Sequence, residues 1–122
     1  MRQLKTIQEK EKLNEVFALD EKGKGGANHE YLVVSDRGMC KVPIEQKILF
    51  QNGARNEEGS QHGVLDVDLL EIVRDRLRGF QSGEFACGYN AEALKCVEKA
   101  LYYMNQRVED RIARNVLGKD EK

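Results

Sequence analysis

The chain has 122 residues, of which 40% are hydrophobic and 34% charged, with 20 basic and 21 acidic side chains and a formal charge of -1. That length suits one compact domain, or one with a small appendage. The even charge balance excludes general coating of DNA or RNA, which needs a broad basic surface, but it leaves room for a small phosphate pocket built from a few arginines.

In chain order, Met1–Leu13 is charged, with Leu4, Ile7 and Leu13 as sparse apolar positions, and predicts a short helix or a frayed arm. Asn14–Leu19 carries Val16, Phe17 and Leu19 and predicts a short strand. Gly23–Gly26 lacks the Lys-Ser or Lys-Thr ending of a P-loop and reads as a turn. Tyr31–Val34 predicts a strand stopped by Ser35-Asp36-Arg37-Gly38, and Met39–Ile44 predicts another, with Pro43 placing it at an edge or a strand end. Gln46–Gln51 supplies a further candidate through Ile48, Leu49 and Phe50. Two or three such strands form a small antiparallel sheet that needs helices or a second subunit to lean on.

Asn52–Gly63 is a polar, glycine-containing connection that holds Arg55, Glu57, Glu58 and His62. Beyond it, Leu69, Leu70, Val73 and Leu77 recur at helical spacing over Asp66–Phe80, with Asp66 or Asp68 as the expected cap. Ala93, Leu94, Val97, Leu101, Met104 and Val108 form the stripe of a second helix over Asn90–Val116, capped by Asn90. The short link Gln81–Tyr89 folds the two helices back on each other. The fold class is therefore α+β: residues 1–62 form a small antiparallel sheet region, residues 63–122 form an antiparallel helical hairpin, and the small core favours a homo-oligomer.

No long apolar run crosses a membrane, and the charged N-terminus does not resemble a signal peptide. Cys40, Cys87 and Cys96 fit neither a metal-binding spacing nor a disulfide framework, so free thiols in a reducing compartment are expected. Ser82, His62 and Cys87 lack evident catalytic partners, and neither histidine belongs to an HExxH motif. The acidic run Asp66, Asp68, Glu71 and Asp75 reads as a solvated helix face. No catalytic residue, metal or cofactor is expected.

Arg107, Arg111 and Arg114 share one side of the second helix. They read either as an ordinary surface paired with Glu98, Glu109 and Asp110, or as guanidinium forks for phosphate oxygens. Phe80 reads as a hairpin-core aromatic or as a platform for a base, and Asn90 as a helix cap or a partner for a purine edge. Asn90 and Arg107 stand about 25 Å apart on a straight helix, so a small nucleotide meets both only in a pocket shared between chains.

The segments Leu69-Leu70-Glu71-Ile72-Val73-Arg74-Asp75-Arg76-Leu77-Arg78-Gly79-Phe80-Gln81, Phe85-Ala86-Cys87, Asn90-Ala91-Glu92-Ala93-Leu94, Arg107-Val108-Glu109-Asp110-Arg111 and Asn115-Val116-Leu117-Gly118 resemble the hairpin domain shared by Thoeris anti-defence sponges and anti-CBASS sponges of phages. Gly25-Gly26-Ala27-Asn28-His29-Glu30-Tyr31 and Ile48-Leu49-Phe50-Gln51-Asn52-Gly53 favour the Thoeris branch. Gly88-Tyr89 departs from a more usual acidic pair, and Asn115-Val116-Leu117-Gly118 from a Gly-Val-Glu-Gly ending.

The resemblance implies sequestration of glycocyclic ADP-ribose, made by bacterial TIR-domain proteins, in the host bacterial cytoplasm. It also implies that some members take cyclic di- or trinucleotides at separate sites, and that the chains assemble as dimers or hexamers. By resemblance, Phe80 stacks on adenine, Asn90 bonds near the base, Arg107 and Arg111 neutralise the pyrophosphate, and Arg55 closes over the ligand. Arg114 is a further phosphate candidate. The competing readings are a signal-degrading enzyme and a structural hairpin adaptor.

Overall fold

A computed structural model describes residues 1–35 and 44–114. It divides into two units, 1–63 and 64–122.

The first unit is a four-stranded antiparallel meander of β1 (Arg2–Gln3), β2 (Asn14–Ala18), β3 (Glu30–Ser35) and β4 (Glu45–Leu49), in the order β1-β2-β3-β4. Phe17 stands opposite Leu32, and Ala18 opposite Tyr31, which in turn stands opposite Ile48. Because side chains alternate along a strand, these pairs put Phe17, Leu32 and Val34 on one face and Val16, Ala18, Tyr31, Val33 and Ile48 on the other. Ala18 and Val34 are the buried apolar residues among those described.

The expectation of a helix or frayed arm over Met1–Leu13 is corrected in part. Arg2 and Gln3 pair with Ala18 and Phe17 and add an edge strand. That pairing is non-local and leaves no periodicity in the sequence. Most of the strand expected over Met39–Ile44 lies outside the described residues, and Ile44 itself precedes β4.

Polar side chains organise the β2–β3 connection. The Asp20 carboxylate accepts hydrogen bonds from the backbone N–H groups of His29 and Glu30 and from the Asn28 amide. Buried Asn28 also donates to the Asp20 carbonyl and accepts from Arg2 Nη2 at 2.9 Å, which ties β1 to this loop. Gly26 supplies the left-handed turn, with φ at 89°.

The second unit is a hairpin of α1 (Asp66–Gln81) and α2 (Gly88–Ala113). At the start of α1, Leu65 is the capping residue, and its N–H donates to Asp68 in the first turn at 2.8 Å. Asp68 therefore satisfies one of the orphan donors expected at a helix start, while Asp66 is simply the first helical residue. A second correction concerns α2: its cap is Cys87, whose Sγ accepts from the Asn90 N–H at 3.4 Å. Asn90 sits inside the first turn, because the chain becomes helical at Gly88. The last residues of the helix expected to reach Val116, and the closing Asn115–Gly118, lie outside the described residues.

One ion cluster joins the two helices. Glu98 of α2 accepts from Arg74 Nε at 2.8 Å and from Arg78 Nη2 at 3.1 Å, and Arg74 also reaches Glu71. Hydrogen bonding from Arg74 holds the Glu98 carboxyl below its usual value despite partial desolvation. None of the described hairpin residues except Arg111 is buried, whereas Leu65, Ile72, Phe85, Tyr89, Tyr102, Tyr103 and Ile112 are exposed.

Candidate functional site

The hairpin sorts the expected ligand residues by its length. Phe80 lies at the end of α1 and Asn90 in the first turn of α2, so both occupy the turn end. A hydrogen bond from Cys87 N–H to Gln81 Oε1 at 3.0 Å closes that turn, and the Asn90 amide approaches the Phe85 carbonyl at 3.5 Å. Arg107, Arg111 and Arg114 lie toward the other end of α2. The helical rise separates Asn90 from Arg107 by about 25 Å. The hairpin thus brings Phe80 near Asn90 and the arginines near each other, but keeps these two groups apart.

Phe80 is 39% exposed, so it is no buried core residue of the hairpin. The guanidinium carbon of Arg76, one turn earlier, stands 5.4 Å from the ring centroid. This cation–π contact covers ring surface and leaves the side chain at the helix exterior. The spacing of Arg76 and Phe80 was the available sequence signal for that contact.

The three arginines are in different situations. Arg107 is exposed and makes no ion pair among the described residues. Arg111 is 6% exposed and has an interaction partner. A buried guanidinium is tolerated only with such compensation, so Arg111 also bears on folding. Arg114 caps the helix and pairs with Asp110 at 3.1 Å. Glu98, an expected partner of the arginine run, is instead held by Arg74 and Arg78.

Arg55 belongs to the connection after β4. Its Nε and Nη2 donate to Gln51 Oε1 at 3.1 and 2.9 Å, and Nη2 also donates to the Gly63 carbonyl at 3.0 Å. The pairing of Asn52 with Gln61 closes this loop, with Gly53 and Gly59 in left-handed conformations at φ 90° and 81°. Gln51 was not singled out from the sequence as a site residue, because a lone glutamine carries no spacing signal.

A groove of about 600 Å³ runs along the hairpin between Leu65, Val67, Leu101, Tyr102 and Val108, with Glu71, Arg74 and Glu98 on its wall. None of the expected ligand residues lines it. Among the described residues, no group of three or more His, Cys, Asp or Glu is placed to hold a metal ion. No described helix is long and apolar enough to cross a membrane.

A small antiparallel sheet followed by an arginine-bearing helical hairpin defines the class of protein. The family model for the Acb2/Tad1 hairpin domain matches residues 43–109, more than half of the chain. Thoeris anti-defense 1 of Bacillus phage SBSphiJ7 is 36% identical over 100 residues, covering 82% of this chain and 66% of that relative, just under two thirds of its length. The chain belongs to the Acb2/Tad1 hairpin family, the family of the Thoeris anti-defence sponges. The matched region contains Arg55, Phe80, Asn90 and Arg107, whereas Arg111 and Arg114 lie beyond it.

Proposed function

We propose that this protein opposes Thoeris defence inside the infected host cell by sequestering glycocyclic ADP-ribose without cleaving it. The observation that carries this reading is the exposed pair of opposite ligand chemistries on one family hairpin: an aromatic ring at Phe80 and a guanidinium at Arg107 that makes no ion pair among the described residues. A ring suits an adenine face, and a guanidinium fork suits a pyrophosphate. In this reading Asn90 bonds near the base, Arg111 adds charge beside Arg107, Arg55 closes from the connecting loop, and Arg114 is an auxiliary phosphate contact.

The separation of Phe80 and Asn90 from the arginines supports a pocket completed by a second copy of the chain. The exposed apolar side chains of the hairpin support the same reading, because a second surface would cover them. A dimer then holds two equivalent pockets, and association of dimers into hexamers would provide separate positions for cyclic di- or trinucleotides.

Calorimetric titration with glycocyclic ADP-ribose, followed by denaturation of the complex and mass analysis of the released ligand, tests this function. Tight binding with unchanged ligand is expected. A cleaved ligand would replace sequestration with enzymatic degradation, and absence of binding would overturn the assignment to this ligand. The same titration with cyclic oligonucleotides, alone and after saturation with glycocyclic ADP-ribose, tests for separate sites.

A further inference from the structure

We infer that Gln51 is a positioning residue that presets Arg55 for anion capture, an inference that rests on the proposed role of Arg55 in ligand binding. Arg55 is an exposed side chain, and an exposed arginine ordinarily samples many rotamers. Here three hydrogen bonds fix its guanidinium. Two come to Gln51 Oε1, from Nε at 3.1 Å and Nη2 at 2.9 Å, and the third runs from Nη2 to the Gly63 carbonyl at 3.0 Å.

Gln51 is itself held at both ends of its amide. Its Oε1 also accepts the Gly63 N–H at 3.2 Å, and its Nε2 donates to the Gly53 carbonyl at 2.9 Å. This pattern fixes the amide orientation, since the oxygen faces three donors and the nitrogen faces a carbonyl. Gly63 completes the support: a Cβ there would overlap the Leu49 carbonyl, so the chain passes close enough for its own N–H and carbonyl to join the cluster.

The chemistry of the anchor matters as much as its geometry. A carboxylate at this position would orient the guanidinium but neutralise it. A neutral amide orients it and leaves its full positive charge. Among the described residues Arg55 makes no ion pair, and its Nη1 donors carry no hydrogen bond. Glu57, the nearby carboxylate, instead lies against the Ala54 N–H at 3.4 Å. Arg55 is therefore held by its Nε and Nη2 edges and presents the Nη1 edge to an incoming phosphate. Fixing it beforehand removes part of the side-chain ordering cost from binding.

The test combines a side-chain measurement with a binding cycle on the full chain. Hydrogen exchange of arginine Nε–H groups, read by NMR without added nucleotide, should be severalfold slower at Arg55 than at Arg107. Gln51→Met, which keeps the side-chain length but removes the amide, should abolish the difference. Equal exchange at Arg55 and Arg107 in the wild-type protein would overturn the inference even if the variant failed to fold.

Calorimetry with glycocyclic ADP-ribose should then show a roughly three- to tenfold loss for Gln51→Met. In an Arg55→Ala background the same substitution should have no effect. A loss of equal size in both backgrounds would assign Gln51 a merely structural role and overturn the inference while leaving the proposed function standing. If wild-type protein does not bind this nucleotide, the proposed function fails, whereas the exchange comparison still decides whether Gln51 holds Arg55.

Discussion

The two units organise themselves by different means. In the sheet unit, polar side chains bonded to backbone groups hold long connections: Asp20 and Asn28 between β2 and β3, and Gln51 and Gln61 after β4. In the hairpin, regular backbone hydrogen bonds and an apolar stripe set the helices, while a half-buried ion cluster links them. The sheet unit buries Ala18, Asn28 and Val34, whereas Arg111 is the buried residue described for the hairpin. The difference separates residues that shape a unit from residues that remain available to a ligand. Phe80 and Arg107 are exposed where local folding needs them least, whereas Asn28 is buried within the bonding that organises its unit.

That contrast is open to direct tests. The largest effect is expected from Arg107→Ala. Loss of charge-assisted phosphate bonding should weaken glycocyclic ADP-ribose by about ten- to a hundredfold, while urea denaturation changes little. A destabilised variant would break the assignment of Arg107 to the ligand-facing group. Arg111→Ala should lower both stability and affinity, because the side chain is buried as well as charged. Loss of affinity with unchanged stability would remove the folding role inferred from its burial.

Phe80→Ala should weaken nucleotide binding by about 1–3 kcal/mol through lost stacking, with a smaller change in the urea midpoint. Within the sheet unit, Asn28→Ala should reduce stability by about 1–3 kcal/mol by leaving buried polar groups unpaired. An unchanged urea midpoint would show that the loop network does not stabilise the unit.

The smallest effect concerns pH. Desolvation raises the Asp20 carboxyl, but the hydrogen bonds from His29, Asn28 and Glu30 outweigh it and hold the group below its ordinary value. A depressed folded-state value contributes stability above the unfolded carboxyl range, and that contribution is lost as pH falls through the lower folded value. Asp20→Asn should remove this acid-dependent component, measured as a smaller pH dependence of the urea midpoint between neutral and acidic solution. An identical dependence in both proteins would assign the acid sensitivity to other groups.

Much of the fold was legible because its signals are local. The repeating Leu69, Leu70, Val73 and Leu77 marked α1, and Leu94, Val97, Leu101, Met104 and Val108 marked α2. Short β-rich apolar runs and flanking turn residues marked β2, β3 and β4. The pairing of Arg2 and Gln3 with β2 was not legible, because it depends on a distant strand edge. The cap of α2 was also missed: asparagine has the stronger capping preference, but the backbone turns helical at Gly88 and gives that position to Cys87.

By itself, the sequence determined the order of sheet and hairpin, the shared helical side of Arg107, Arg111 and Arg114, and the long rise between Asn90 and Arg107. These follow from chain order and helical periodicity. Tertiary structure decided that Phe80 and Arg107 are exposed, that Arg111 is buried, that Glu98 pairs with Arg74 and Arg78 across the hairpin, and that Gln51 grips Arg55. Exposure and hydrogen-bond partnership depend on which side chains the folded backbone brings together, and residue identity and spacing do not specify that arrangement.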